Sequence, residues 1–138
     1  MKARKINWDK TFSIGQKPID EDHIQILKIY NDLIDIAQGV GNFDEFARVL
    51  SDMTTYALKH FEKEEAYMSK MNYPNIESHI EFHRHYIYKV AMFNIHYRID
   101  TEIDEVLEFI HHWWVHHIQK TDMEYENYKL ENNIQIDF

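Results

Sequence analysis

The chain contains no cysteine, which excludes disulfides, thiolate zinc sites, cysteine-ligated iron–sulfur clusters and covalently attached c-type haem. Glycine and proline are scarce, at three and two residues, and so few breakers favour long helices over a β-rich fold. No apolar run approaches the roughly 20 residues needed to span a bilayer, so no membrane partner is expected. Residues 1–10 begin basic but lack the apolar block of a secretory signal, which makes the cytoplasm the expected compartment. Positive charge is also short: 15 Lys and Arg against 24 Asp and Glu leave a formal charge of −9. Phosphate binding needs clustered cations, so nucleic acid is not an expected partner.

What is present fits one globular domain over residues 1–138, with 44% hydrophobic and 28% charged residues, enough to bury a core without staples. Residues 1–18 lack helical periodicity and read as an extended N-terminal arm, with Trp8, Phe12 and Ile14 available to pack it down. Four helical stripes follow, over about residues 18–130. The first, about 18–38, carries Ile19, His23, Ile26, Tyr30, Leu33 and Ala37 at alternating steps of four and three. Pro18 suits its first turn, Asp20, Glu21 and Asp22 complement its positive end, and Gly39 and Gly41 stop it. The second, about 42–71, is capped by Asn42 and places Phe46, Leu50, Met53, Ala57, His60, Glu64, Tyr67 and Met71 in register. A third, from Pro74 or Asn75 to Ile99, aligns Ile76, His79, His83, Tyr86 or Ile87, Val90, Phe93 and Tyr97. The fourth starts near Thr101, a capping candidate, and carries Ile103, Val106, Ile110, Trp113 and His117, then loosens near Lys120 and Thr121 and resumes through Tyr128. Helices this long with short connections give an all-α, up-down-up-down four-helix bundle.

Six ionisable side chains stand where these stripes call for apolar ones: His23, His60, Glu64, His79, His83 and His117. Taken singly, each histidine is an ordinary half-buried core residue, and Glu64 could serve Lys63 or Lys70. Taken together, they put several polar groups into one set of seams, and a buried carboxylate without a partner costs several kcal/mol. A cation in the bundle centre would compensate. His60 and Glu64 are four apart, as are His79 and His83, so each pair shares a helix face, about 5–6 Å apart at Cβ. His117 and Asp122 are five apart and could converge only if the helix end unwinds near Thr121. Imidazole and carboxylate without sulfur suit iron, zinc, copper or manganese better than calcium or magnesium. The remaining histidines, His85, His96, His111, His112 and His116, lie off or beside the seams.

These features resemble the hemerythrin family, in particular its single-domain prokaryotic branch, the bacteriohemerythrins. The resemblance runs through Trp8, Ile19-Asp20-Glu21-Asp22-His23, His60-Phe61-Glu62-Lys63-Glu64-Glu65, His79-x-x-x-His83, and the run from Trp113 and Trp114 through His117 to Asp122. It implies two iron ions, bridged by hydroxide or oxide and ferrous in the deoxy form. His79, His83 and His117 would hold one iron and His23 and His60 the other, with Glu64 and Asp122 bridging. The two-histidine iron is then left with one open position, where dioxygen would bind end-on. No protein acid is required, which agrees with the lack of a further seam carboxylate beside the site. Ile26, Phe61, Trp113 and Ile118 are candidates for a dry oxygen pocket. For the imidazole N–H groups, backbone carbonyls, Asp20 or tyrosines are candidate acceptors.

The expected function is reversible dioxygen binding for transport, storage or delivery, without catalysis, with an oxygen-using enzyme as a conceivable recipient. Alternatives are a di-iron oxygen sensor, an iron-storage or trafficking protein, or a bundle whose histidines switch packing with pH. An oxygen-activating enzyme of the ferritin-like class calls for Glu-x-x-His on two helices. Here only Glu108 and His111 show that spacing, and they lie off the seam.

Overall fold

A computed structural model describes residues 3–40, 42–96 and 100–137. Helices α1 (Lys17–Asp35), α2 (Phe43–Lys70), α3 (Ile76–His96) and α4 (Asp100–His116) form an antiparallel four-helix bundle, and a shorter α5 (Asp122–Glu131) continues beyond α4. Each long helix packs on its neighbour in sequence, and α4 closes the ring against α1. Among the described residues there is no strand, and no helix is long and apolar enough to cross a membrane.

Local chemistry sets the helix ends. Pro18 lies in the first turn of α1, where its missing N–H costs nothing. Asp20 turns back to the arm, accepting from the Ser13 hydroxyl at 2.5 Å and the Ile14 N–H at 2.9 Å. The far end of α1 widens into a π turn, Ile36–Val40, in which Gly39 takes φ 96°, a left-handed conformation that a side chain would strain. The Asn42 side chain caps α2 by accepting from the Glu45 N–H at 2.9 Å. Helix α2 stops at left-handed Asn72, φ 53°, and the Tyr73 N–H reaches back to the Met68 carbonyl at 3.0 Å, closing the helix as in a Schellman turn. The expectations for Gly41, Tyr97 and Ile99, and for the Thr101 side chain, lie outside the described residues.

The seams of α1 and α2 follow the sequence pattern, every position being buried except half-buried Ala37. Helix α4 differs by one position. Val106, Leu107, Ile110 and Trp114 are fully buried while Trp113 is half-buried, because an α-helix buries a stripe wider than a strict three–four seam. The arm is pinned more firmly than its aromatics imply. Asn31 accepts from the Ile6 N–H and donates to the Ile6 carbonyl, both at 2.8 Å, and the Tyr30 hydroxyl donates to the Arg4 carbonyl at 2.9 Å. Ala3, Ile6, Phe12 and Ile14 are buried, with Trp8 stacked on Phe12 at 5.7 Å.

The buried apolar residues fall into two clusters. One runs the length of the bundle through Ile26, Leu33, Leu50, Phe61, Tyr86, Trp114 and Ile118. The other gathers Ile14, Ile19, Tyr67, Met68, Met71, Tyr73 and Tyr125 at one end. On α1 and α2, the residues between the clusters are those at which apolar side chains give way to His23, His60 and Glu64.

Candidate metal centre

The seven ionisable side chains singled out in the sequence are all buried, none more than 2% exposed, and their ligating atoms converge between the two apolar clusters. They sort into two groups whose atoms lie within 4.8 Å of one another: Glu64, His79, His83 and His117 in one, and His23, His60, Glu64 and Asp122 in the other. Glu64 belongs to both, its Oε1 standing 3.1 Å from His83 Nε2 and 3.6 Å from His60 Nε2. Asp122 divides its oxygens: Oδ2 lies 3.1 Å from His23 Nε2, and Oδ1 lies 3.0 Å from His117 Nε2 and 3.1 Å from His79 Nε2.

The five-residue step from His117 to Asp122 is resolved by the backbone. The helix does not unwind, as the spacing led one to expect. Residues His117–Thr121 form a π turn in which the Asp122 N–H bonds the His117 carbonyl and the flanking residues keep right-handed helical angles. One additional residue in the turn brings i and i+5 onto the same face, as i and i+4 are in an α-helix. Single π turns of this kind are frequent at functional sites.

The arrangement fits metal ions better than it fits the side chains alone. Glu64 Oε1 and both Asp122 oxygens are buried without a hydrogen bond of good geometry, although imidazole nitrogens surround them at 3.0 to 3.8 Å. His23 Nε2 and His60 Nε2 stand 3.1 Å apart, as do those of His83 and His117. Two nitrogens about 2.1 Å from one ion and at a right angle stand about 3.0 Å apart. Without metal, the cluster relies on protons. Burial opposes charge on His79, but close contacts with Asp122 and Glu64 outweigh it and raise the imidazole to about 9. His117 is raised too, burial being overcome by the charge of Asp122. Burial also works to raise both carboxyls, helped at Asp122 by the charge of Glu64, yet the surrounding imidazoles hold both below their ordinary values.

Outer contacts orient the ligating atoms, and those of His60 and His83 are carboxylates not among the acceptors expected from the sequence. His60 Nδ1 donates to Asp22 Oδ2 at 2.9 Å and His83 Nδ1 to Glu65 Oε2 at 2.8 Å. A carboxylate only accepts, so each Nδ1 carries the proton and each Nε2 turns a lone pair inward. Asp20 instead ties down the arm, and Tyr125 bonds Glu64 Oε2 at 2.9 Å rather than an imidazole. The available signal was adjacency, since Asp22 precedes His23 and Glu65 follows Glu64. Each acid serves a histidine on a neighbouring helix, which a single stripe does not disclose. Burial works to raise the Asp22 carboxyl, but hydrogen bonds from His60 and Lys63 pull it down to about 2. Asp22→Ala should therefore loosen metal at the His23–His60 group by about 10–100-fold and leave the His79–His83–His117 group intact. Competition with a chelator would measure it, and equal loss at both groups would count against this role.

One further buried carboxylate was missed. Glu126, 3% exposed, accepts from the Tyr67 hydroxyl at 2.6 Å and from the Gln16 amide at 3.1 Å. It belongs to neither ligand group and joins α5 to α2 and the arm.

Of the four residues named for a dry pocket, Ile26, Phe61 and Ile118 are buried. Phe61 stacks on His83 at 3.9 Å between ring centres and lies 5.9 Å from His60. Trp113 stacks on His117 at 4.2 Å, on the three-histidine side. Trp114, not singled out from the sequence, is the tryptophan near the other pair, 6.4 Å from His23 and 6.1 Å from His60.

Fold and site together define an all-helical bundle protein with a buried histidine–carboxylate centre able to hold metal. Residues 15–128 match the Hemerythrin HHE cation binding domain, and the chain belongs to the hemerythrin family. It is 31% identical over 124 residues to a bacteriohemerythrin of Clostridium acetobutylicum, covering 86% of this chain and 96% of that protein. A hemerythrin-like protein of Naegleria gruberi is 28% identical over 120 residues, covering 87% and 90%. The bacteriohemerythrin of Stenotrophomonas maltophilia is 28% identical over 119 residues, covering 86% and 77%.

Proposed function

We propose that this chain binds dioxygen reversibly at a pair of iron ions, as a carrier or store rather than an enzyme. The observation that carries the reading is the asymmetry of the two ligand groups around shared carboxylates. Three imidazoles gather on one side and two on the other, so the two-imidazole group offers an ion fewer protein ligands and would leave more room there for a small ligand. Ferrous iron, when bound between these groups, would supply the electrons that reversible dioxygen binding needs.

The chain's own residues would do the rest. His79, His83 and His117 hold one ion, His23 and His60 the other, and Glu64 and Asp122 span both. Tyr125 steadies Glu64 through Oε2, and Asp22 and Glu65 aim two of the imidazoles. Trp114 lies beside His23 and His60, and Phe61 lies between His60 and His83. With buried Ile26 and Ile118 they would give the site an apolar wall, which excludes water and favours release of oxygen over its loss in a reduced form. Trp113 shields His117. Two carboxylate ligands against five imidazoles offer little anionic charge for oxidising chemistry, which supports binding over catalysis. An oxygen-using enzyme is the partner such a carrier would serve.

Anaerobic reconstitution with ferrous iron, followed by an oxygen titration in the visible range, tests the proposal. Two irons per chain and a band that appears with oxygen and fades under vacuum are expected. A protein that retains zinc instead, or a band that never fades, would overturn it.

A further inference from the structure

The groove between α3 and α4 holds histidines that the buried centre leaves unused. A cavity of about 540 Å³ opens there, walled by Phe82, Phe109, His85, His112 and His116, with His117 on its lining beside Trp113, which stacks on it at 4.2 Å. His112 and His116 are one turn apart on α4 and both exposed, a spacing that sets Cβ atoms about 5–6 Å apart on one face. His85 faces the groove from α3, its ring 6.0 Å from Phe109.

The neighbouring histidine makes an instructive contrast. His111 Nδ1 stands 3.2 Å from the Arg4 carbonyl and 3.3 Å from the Tyr30 hydroxyl, so it helps to seat the arm. Among the described residues, His85, His112 and His116 make no hydrogen bond or ion pair, and their nitrogens are free to bind. Unprotonated imidazole in water is a ligand for zinc, copper, nickel and iron, and a chain of formal charge −9 draws cations toward it.

We propose that His112 and His116 form a further site for a divalent transition-metal ion, with His85 closing on it, and that this site stages ferrous iron for the buried centre. The three rings are not drawn together as the buried groups are, so two imidazoles and water hold the ion until His85 changes rotamer. The link to the interior is His117, which follows His116 directly, contributes to the three-imidazole group and lines the same cavity. The staging role rests on the di-iron reading; the outer site does not.

The test has two arms. Iron-loaded protein is titrated with zinc ion alone, and one extra ion per chain is expected. The doubly substituted His112→Ala, His116→Ala protein should bind it at least about tenfold more weakly, since loss of an outer partner alone costs about 10–100-fold. His111→Ala should keep it. These exposed helical positions accept alanine readily, and a thermal melt of each variant checks that the bundle survives. In the second arm, metal-free chain is mixed anaerobically with ferrous iron and desalted before counting, and the double variant should reach the same buried iron content several-fold more slowly. Absence of the extra zinc, or its retention by the double variant, overturns the site. Equal filling rates overturn the staging role. A buried content other than two irons in the unsubstituted chain, counted after desalting has removed the outer ion, would instead strike the di-iron reading, leaving the outer site to be judged by zinc alone.

Discussion

Replacing His60 by alanine is expected to remove one buried metal ion and the oxygen response together, whereas His112→Ala leaves the buried pair and the response in place. His60 is one of only two imidazoles in its group, 3.1 Å from His23 at Nε2 and aimed by Asp22. Without it, one imidazole and two carboxylates remain on that side, and the loss of affinity should exceed the roughly 10–100-fold cost of removing an outer partner. The other group keeps three imidazoles with Glu64 and Asp122 nearby. Iron left in the variant should pass to an inert ferric form faster, because the missing ring admits water beside Phe61 and Trp114. Metal analysis and visible spectra in oxygen and under vacuum read both effects. Equal losses in the His60 and His112 variants would mean the ligands are wrongly assigned.

Stripping the metal should reverse the pH dependence of stability. In the metal-free chain His79 is raised from 6.5 to about 9. The stability it contributes is complete below about pH 6.5 and disappears as pH climbs through 9. Glu64 and Asp122 are lowered from 4.5 and 3.8, so their contribution holds above those values and is lost on acidification. The metal-free protein should accordingly be most stable between about pH 4.5 and 6.5. From there to pH 9.5 the His79 contribution alone is worth up to about 3 kcal/mol at about 1.36 kcal/mol per pK unit. Metal binding requires unprotonated imidazoles, so the loaded protein should instead gain stability as pH rises from 5 to 7. Melting curves of chelated and loaded protein check this. A chelated protein that melts at the same temperature at pH 6 and pH 9.5 would refute it.

The bundle was legible in the sequence because burial imposes a period, and the interruptions of that period located His23, His60, Glu64, His79, His83 and His117. A period finds the axis of a stripe better than its width, which is why Trp113 was chosen over Trp114. Spacing rules presume a regular helix, so the approach of Asp122 to His117 was attributed to unwinding when the backbone accomplishes it by widening one turn. Asp22 and Glu65 were passed over because their partners sit on other helices, and a one-dimensional pattern carries no information about which helix is adjacent. Glu126 was unreadable for the same reason, since its burial depends on Tyr67 and Gln16 rather than on anything near it in the chain. The arm was taken to be held by aromatic weight, whereas the reciprocal amide contacts of Asn31 with Ile6 do much of the fastening.

The widened turn after His117 has an effect beyond the one aspartate. A residue added to a helix rotates everything downstream by about 100°, so α5 does not prolong the face of α4. It swings round to lay Tyr125 beneath Glu64 and Glu126 against Tyr67, while Ile134 and Ile136 in the tail pack onto the Tyr73 cluster. A single irregular turn thereby converts what would have been a protruding helix end into the floor of the chamber.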